Sequence, residues 1–268
     1  MTERLKPLSA WPRGLARGLE ILFTDIDDTV SSDGRITAAA YAALWRAREG
    51  GLRVVPVTGR PAGWCDHIAR MWPVDGVIGE NGGLVFRLED GRMARHFLYD
   101  ATVRADFRAR LEAIREEILR RVPGTAIASD QAYREYDLAI DYCEDVPRLP
   151  LAEARRIQAI FEEHGATAKI SSIHVNGWFG DFDKVRAARA YLAHFAGLDA
   201  ERDGERCAFC GDSPNDEPMF AWLEESSVGV ANLCDFLALV SHRPAFLTEG
   251  RSGAGFAQLV NRLIELRS

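Results

Sequence analysis

Apolar runs and amphipathic stretches alternate along the first third of the chain: LEILFTDID, TAAAYAALWRAREGG, LRVVPVTG, AGWCDHIARMW, then DGVIGENGG. Short strand-like runs separated by helix-like pieces of about 10 to 15 residues predict parallel βα units with both sheet faces covered. The last third resumes the alternation with DKVRAARAYLAHFAG, ERCAFCGD, EPMFAWLEE, SSVGVAN and a closing helix, GFAQLVNRLIEL. The middle reads differently. Val103, Phe107, Leu111, Ile114 and Ile118 recur at helical spacing, with Arg and Glu on the other face. A strand-like DLAIDY, a second amphipathic helix in LAEARRIQAIFEEHG and a β-rich KISSIHVNGWF follow.

Two α/β half-units of this kind predict a small α+β module inserted into the parallel domain. The expected fold is therefore α/β, with a Rossmann-like parallel-sheet core in residues 1–84 and 181–268 and an inserted α+β module in residues 85–180. Such boundaries are good to several residues. An insertion there lies over the strand ends at which open α/β sheets bind their ligands.

Composition narrows the function classes. At 268 residues, 47% hydrophobic and 27% charged, the chain has enough material for a sizeable core and reads as globular. A net charge of −7 argues against a nonspecific nucleic-acid or membrane-surface binder, which needs excess cations. It still allows an anionic small molecule held by a few local cations. No run approaches the roughly 18 apolar residues of a membrane helix, and MTERLKPLSAWPRGLARG lacks the apolar centre of a signal peptide. The expected location is cytoplasmic, and the expected state a monomer or homodimer. Five scattered cysteines suit reduced thiols. The pair Cys207 and Cys210 in CAFC falls on a strand, where positions three apart face opposite ways, so both read as core residues.

Chemistry concentrates at strand ends. Asp25 and Asp27 follow LEILF at positions i and i+2, where extended backbone aims both the same way. Nearby carboxylates repel unless one is protonated or a cation sits between them. Capping of the next turn would account for one or two acids, but hardly for Asp28 as well. In CAFCGDSPNDEPMF, Asp212 again follows a strand and Asp216 lies four residues on, in a Gly/Pro-broken loop. Carboxylates from separate loops are what Mg²⁺ prefers, although each loop alone would pass for an ordinary turn. Thr58, ending VVPVTGR, has a hydroxyl and following N–H groups suited to a phosphate. Lys184 is one of only three lysines among 33 basic residues. It opens a helix, where the dipole disfavours a cation, so a bound anion would explain it. GRSGAGF at 250–256 lacks the spacing of a P-loop or dinucleotide fingerprint and reads as a connecting loop.

Taken in order, DIDDT, VTGR, DFDK and GDSPNDEPMF resemble the four motifs of the haloacid dehalogenase-like (HAD) phosphatase superfamily. ENGG at 80–83 and the insertion between the second and third motifs resemble its type IIB branch, and the likeness covers essentially the whole chain. The resemblance implies a cap domain that closes over the site and a Mg²⁺-dependent phosphomonoesterase acting on a small phosphorylated metabolite, with a sugar phosphate the expected class. Position by position, it makes Asp25 the nucleophile and Asp27 the acid and base. Mg²⁺ is then held by Asp25, the Asp27 carbonyl and Asp212, with Asp216 nearby. Thr58 and Lys184 grip the phosphoryl oxygens, and Gly59 adds its N–H. Where relatives have Gly or Asn this chain has Asp28, read as supporting or solvent-facing. A phosphosugar mutase using the same aspartyl-phosphate is the enzymatic alternative, and a non-catalytic ligand-binding protein the alternative from another class.

Substrate choice is expected from the module. His174, Asn176 and Trp178 alternate in SSIHVNGWFG, so all three can line one face, and polar groups beside an aromatic surface suit a sugar. The same pattern also fits an edge strand packed at the domain boundary. Arg60 and Asn81 are further candidates. Alanine at His174 or Trp178 is expected to raise KM.

Overall fold

The computed structural model describes residues 5–171 and 173–268. The first four residues of the N-terminal segment, and Ser172 within SSIHVNGWFG, lie outside them. The first domain is built on β1 (Ile21–Thr24), α1 (Ala38–Glu49), β2 (Arg53–Pro56), α2 (Ala62–Met71) and β3 (Val77–Gly79). A hairpin follows, β4 (Leu84–Glu89) and β5 (Arg92–Phe97). Then come α3 (Ala101–Arg121), β6 (Asp137–Asp141), α4 (Leu151–Glu163), β7 (Thr167–Ile170) and β8 (His174–Trp178). The chain returns through α5 (Lys184–Tyr191), β9 (Cys207–Gly211), α6 (Glu217–Trp222), β10 (Ser227–Gly229) and α7 (Ser252–Arg267).

The main sheet is parallel, in the order Lys6–Pro7, Phe246–Leu247, β10, β9, β1, β2. A parallel bridge between Val57 and Ile78 links its last strand to β3. Alternate residues feed two cores. Leu22, Val54, Ala208, Cys210 and Val228 pack with α1 and α7. Ile21, Phe23, Val55, Cys207 and Phe209 pack with α5 and α6. Period-two alternation thus sends the two cysteines of CAFC to opposite, fully buried faces.

A second, antiparallel sheet runs β7, β8, β6, Ala126–Ile127. α3 and α4 cover one of its faces through Leu111, Ile114, Ile118, Ile157, Ile160 and Phe161. The strand carrying His174, Asn176 and Trp178 is an interior strand, paired on both sides, rather than an edge strand. The β4–β5 hairpin pairs with β3 of the first domain and not with this second sheet. GRSGAGF opens α7, and its N–H groups are already taken: Ser252 donates to Asn232 Oδ1 at 2.8 Å and Gly253 to Ser32 Oγ at 3.1 Å. No helix is long and apolar enough to cross a membrane, among the described residues.

Candidate active site

Parallel strands share a direction, so their C-terminal ends share an edge, and β1 and β9 are neighbours there. The loop after β1 carries Asp25, whose N–H donates to the Cys210 carbonyl at 2.9 Å. The loop after β9 carries Asp212 and Asp216. Carboxylate oxygens of Asp25, Asp212 and Asp216 lie within 4.8 Å of one another, and all three residues are buried. Gly211 is required by this packing, because a Cβ there would stand 2.4 Å from Asp216 Oδ2. That same oxygen accepts from the N–H groups of Asp212 (3.0 Å) and Ser213 (3.4 Å).

Lys184 reaches the cluster from the first turn of α5, whose start is capped by Asp183 accepting from Arg186 N–H at 2.8 Å. Its Nζ donates to Asp25 Oδ1 (2.8 Å) and Asp216 Oδ1 (2.7 Å). Burial opposes its charge, but these two carboxylates prevail and hold the ammonium more firmly protonated than an ordinary lysine. The unfavourable helix position is offset by direct ion pairs.

Asp212 is the unbalanced member. Its oxygens accept from neutral groups, Thr29 Oγ1 and Asn232 Nδ2, both at 3.2 Å. No basic side chain comes within ion-pair distance of it among the described residues. Burial, followed by the charges of Asp216 and Asp25, pushes its carboxyl well above the ordinary range. Asp25 is raised to about 7, chiefly by burial, with Lys184 pulling the other way. Three buried carboxylates around a single ammonium are one cation short, and an all-oxygen donor set fits a hard divalent ion such as Mg²⁺.

Asp27, two residues on, points into the cleft between the domains. Arg60 Nε donates to both of its oxygens (2.9 and 3.1 Å), and Nη2 donates to Asp27 Oδ1 and Glu144 Oε1, each at 2.9 Å. Arg60 Nη1 reaches Asp130 at 3.4 Å, and the guanidinium stacks over Trp64, 4.4 Å from the ring centroid. The second domain supplies Asp130 and Glu144. Glu144 is placed by a turn in which Asp141 accepts from the N–H groups of residues 143, 144 and 145. His174 Nε2 lies 2.9 Å from Glu144 Oε2, close but off the direction of a good hydrogen bond. His174 together with Arg60 holds the Glu144 carboxyl down at about 2, against the effect of burial.

A second brace joins the domains. Arg134 Nη1 donates to the Gly59 carbonyl at 2.8 Å and pairs with Asp137 at 2.9 Å, while Nη2 pairs with Asp130 at 2.9 Å. Buried Glu80 accepts from Ala62 N–H on the first domain and from the N–H groups of Glu135, Tyr136 and Asp137 on the second, at 2.6 to 3.3 Å. Burial pushes its pKa up to about 7. Glu80 and Asn81 both sit at left-handed φ, 47° and 56°, a conformation these hydrogen bonds and the following glycines hold in place.

A small cavity, about 20 Å³, opens at Asp25 and Asp27 and is walled by Gly59, Arg60, Asn81, Lys169, His174 and Asn176 among others. Of the residues singled out from the sequence, Asp25, Asp27, Gly59, Arg60, Asn81, His174 and Asn176 meet there. Asn176 is anchored by its Nδ2 donating to Asp137 at 2.7 Å. Asn81 Nδ2 is buried without an acceptor among the described residues, so a donor stands ready for an oxygen of a bound molecule. Thr58 is fully buried, and its hydroxyl accepts from Arg60 N–H at 3.1 Å. Asp28 adopts φ 56° and offers its carbonyl to Asn232 Nδ2 at 2.9 Å, on the flank of Asp212.

Trp178 is corrected. It is 1% exposed, donates from Nε1 to the Phe182 carbonyl at 3.3 Å and stacks on that ring. Side chains of both domains surround it, including Ile26, Ala62 and Tyr136, so it packs the domain boundary and does not line the cavity. Glu80, Asp130, Arg134, Glu144 and Lys169 belong to the site and were not anticipated. Charged residues are common along the chain, and only their place at the boundary between the domains distinguishes these five. Glu80, within ENGG, had a local signal: an acid in a glycine-rich turn directly after a short apolar strand.

The model of the haloacid dehalogenase-like hydrolase family matches residues 22–108. A solved structure of Thermoplasma acidophilum 0175 superposes with a TM-score of 0.70 at 19% identity, covering 92% of this chain and 99% of that one. The C-terminal domain of C. albicans trehalose-6-phosphate phosphatase gives 0.68 at 13% identity, covering 99% and 100%. The sucrose-phosphatase of Synechocystis, solved with sucrose and phosphate, gives 0.61 at 16%, covering 92% and 98%. No curated protein sequence matches. The family match is confined to residues 22–108, and over most of its length the chain shares the fold of these solved structures.

Proposed function

We propose that the protein is a Mg²⁺-dependent phosphatase that hydrolyses a small phosphorylated metabolite, a sugar phosphate being the favoured class, through an aspartyl-phosphate on Asp25. The observation that carries this reading is the buried triad Asp25, Asp212 and Asp216, bridged by Lys184 and one cation short. A divalent ion held by Asp25 and Asp212, with Asp216 alongside and the Asp27 carbonyl as a further oxygen, would supply neutralisation of phosphoryl charge.

The protein's own groups divide the remaining work. An Asp25 carboxylate oxygen attacks phosphorus, and the bond from phosphorus to the leaving oxygen breaks in line with it. Lys184, fixed by two carboxylates, presents an ammonium to the phosphoryl oxygens, and Asn81 Nδ2 and the Gly59 N–H add neutral donors. Thr58 braces the turn through Arg60 N–H. Asp27 gives a proton to the departing alkoxide and later takes one from the water that attacks the aspartyl-phosphate. Arg60 occupies both Asp27 oxygens in the closed arrangement, so its grip must loosen before Asp27 can protonate a leaving group. A cavity of about 20 Å³ admits little more than one water. Entry of substrate therefore requires the second domain to swing away, carrying Glu144 and Asp130 off Arg60. Neighbours that act on sucrose and trehalose phosphates, and polar groups at Asn81, His174 and Asn176, support a sugar-bearing substrate.

The test is phosphate release from a panel of sugar phosphates and phosphoglycolate, with Mg²⁺ or with EDTA. Release that needs Mg²⁺ and falls by at least about 10³-fold in Asp25→Asn is expected. Release that survives in Asp25→Asn would remove Asp25 as the nucleophile, and an isomerised product without free phosphate would make the protein a mutase.

A further inference from the structure

Next to the catalytic cavity lies a larger one, about 310 Å³, and the two share the walls Lys169, Ser171, Ser213 and Asn215. Farther out, the larger cavity is lined by Arg155, Phe236 and Leu239. The inner cavity holds the nucleophile and shares walls with the outer one, so a phosphoryl group brought to Asp25 once the domains part would direct its leaving group towards the outer one. What the outer cavity offers should therefore describe the leaving group.

Lys169 stands at the junction. It is directly opposite Asn176 in the antiparallel pairing of β7 with β8. Opposed residues share a sheet face, so Lys169 projects on the same side as Asn176 and His174, towards Asp25 and Asp27. Its neighbours make it unusual. Arg60 and Lys184 are both fully engaged by carboxylates, whereas neither Lys169 nor Arg155 has a carboxylate within ion-pair distance among the described residues. The one acid on the outer wall, Glu217, is occupied by His242, whose N–H donates to it at 3.0 Å. The outer cavity thus presents two uncommitted cations above an apolar patch, in a protein whose net charge is −7. Local cations of this kind attract and orient an anion against an unfavourable overall field.

We propose that the substrate's leaving group carries a second anionic group, a carboxylate or a further phosphate, bound by Lys169 at the junction of the two cavities with Arg155 beyond it. Lys169 is then the specificity-determining residue. This proposal rests on the phosphatase reading and narrows it.

Three esters separate the outcomes: glucose 6-phosphate with a neutral leaving group, 3-phosphoglycerate with a carboxylate, and fructose 1,6-bisphosphate with a second phosphate. The intact protein with Mg²⁺ is expected to favour one of the two anionic esters over the neutral one by about tenfold or more in kcat/KM, the scale of one charge-assisted hydrogen bond. Whichever is preferred identifies the second group. Lys169→Met should erase that preference, mainly through KM, and Lys169→Arg should keep most of it. Arg155→Gln should reduce it less than Lys169→Met. Equal or better use of the neutral ester, or a preference that persists in Lys169→Met, would overturn the proposal. No release from any ester, p-nitrophenyl phosphate included, would overturn the phosphatase reading and this proposal with it.

Discussion

Two clusters of buried charge face each other across the cleft, one on the floor of the site and one along the seam between the domains. On the floor, Asp25 and Asp216 share Lys184, and among the described residues Asp212 has only neutral side-chain donors. Along the seam, four carboxylates are paired with two arginines, and Glu80 accepts from backbone N–H groups of both domains. Asp27 and Glu144 are held by Arg60, Asp137 by Arg134, and Asp130 by both arginines. A paired buried charge mainly holds geometry, whereas an unpaired one costs stability and persists where something else completes it. On the proposed reading the floor receives a cation and a phosphoryl group, while the seam holds two domains in register.

That contrast can be broken by substitution. The largest expected effect lies at the seam's packing. Trp178→Ala removes a fully buried indole between the domains and should destabilise the protein by about 3–5 kcal/mol in denaturant unfolding. A change confined to KM, at unaltered stability, would restore Trp178 to the substrate site. Next comes Glu80. Its folded pKa, about 7, exceeds the ordinary 4.5, so the folded state binds the extra proton between these values. Its contribution to stability is therefore complete below about pH 4.5 and lost as pH rises through about 7, by at most about 3 kcal/mol. Subtracting the stability–pH profile of Glu80→Gln from that of the native protein should show this downward slope, and a flat difference would contradict it. The smallest effect on stability, with an unusual sign, belongs to the floor. Asp212→Asn relieves an unpaired buried charge, so without metal the variant should be more stable than the native protein by about 1–2 kcal/mol. On the proposed reading Mg²⁺ raises the Tm of the native protein, and the variant should lose most of that rise. A less stable metal-free variant would show that Asp212 is already balanced, and the difference between floor and seam would disappear.

Much of this molecule was legible along the chain. The parallel alternation, the inserted helices and the acids at two strand ends follow from local pattern, because a buried strand followed by crowded carboxylates is visible in a few adjacent residues. The β4–β5 hairpin went unread, although Asp90 and Gly91, at φ 49° and 76°, form a two-residue Asp-Gly turn of the kind that joins antiparallel strands. Trp178 was legible only as a face. Period two correctly puts it beside His174 and Asn176, but whether that face meets solvent, ligand or another domain depends on residues far away in sequence. Asp137 and Trp178, opposite one another across β6 and β8, show how far apart those partners are.

What the sequence by itself determined is the set of candidate reacting groups and their order: two acids after one strand, a threonine after another, a lysine opening a helix and two acids after a third strand. These depend on short-range geometry, in which strand direction and turn chemistry are set by neighbours. Only the tertiary structure decided which carboxylates are paired, that Arg60 locks Asp27 to Glu144, and that Lys169 stands where two cavities meet. Each of these is a contact between segments tens of residues apart, and burial and charge balance exist only once those segments have come together.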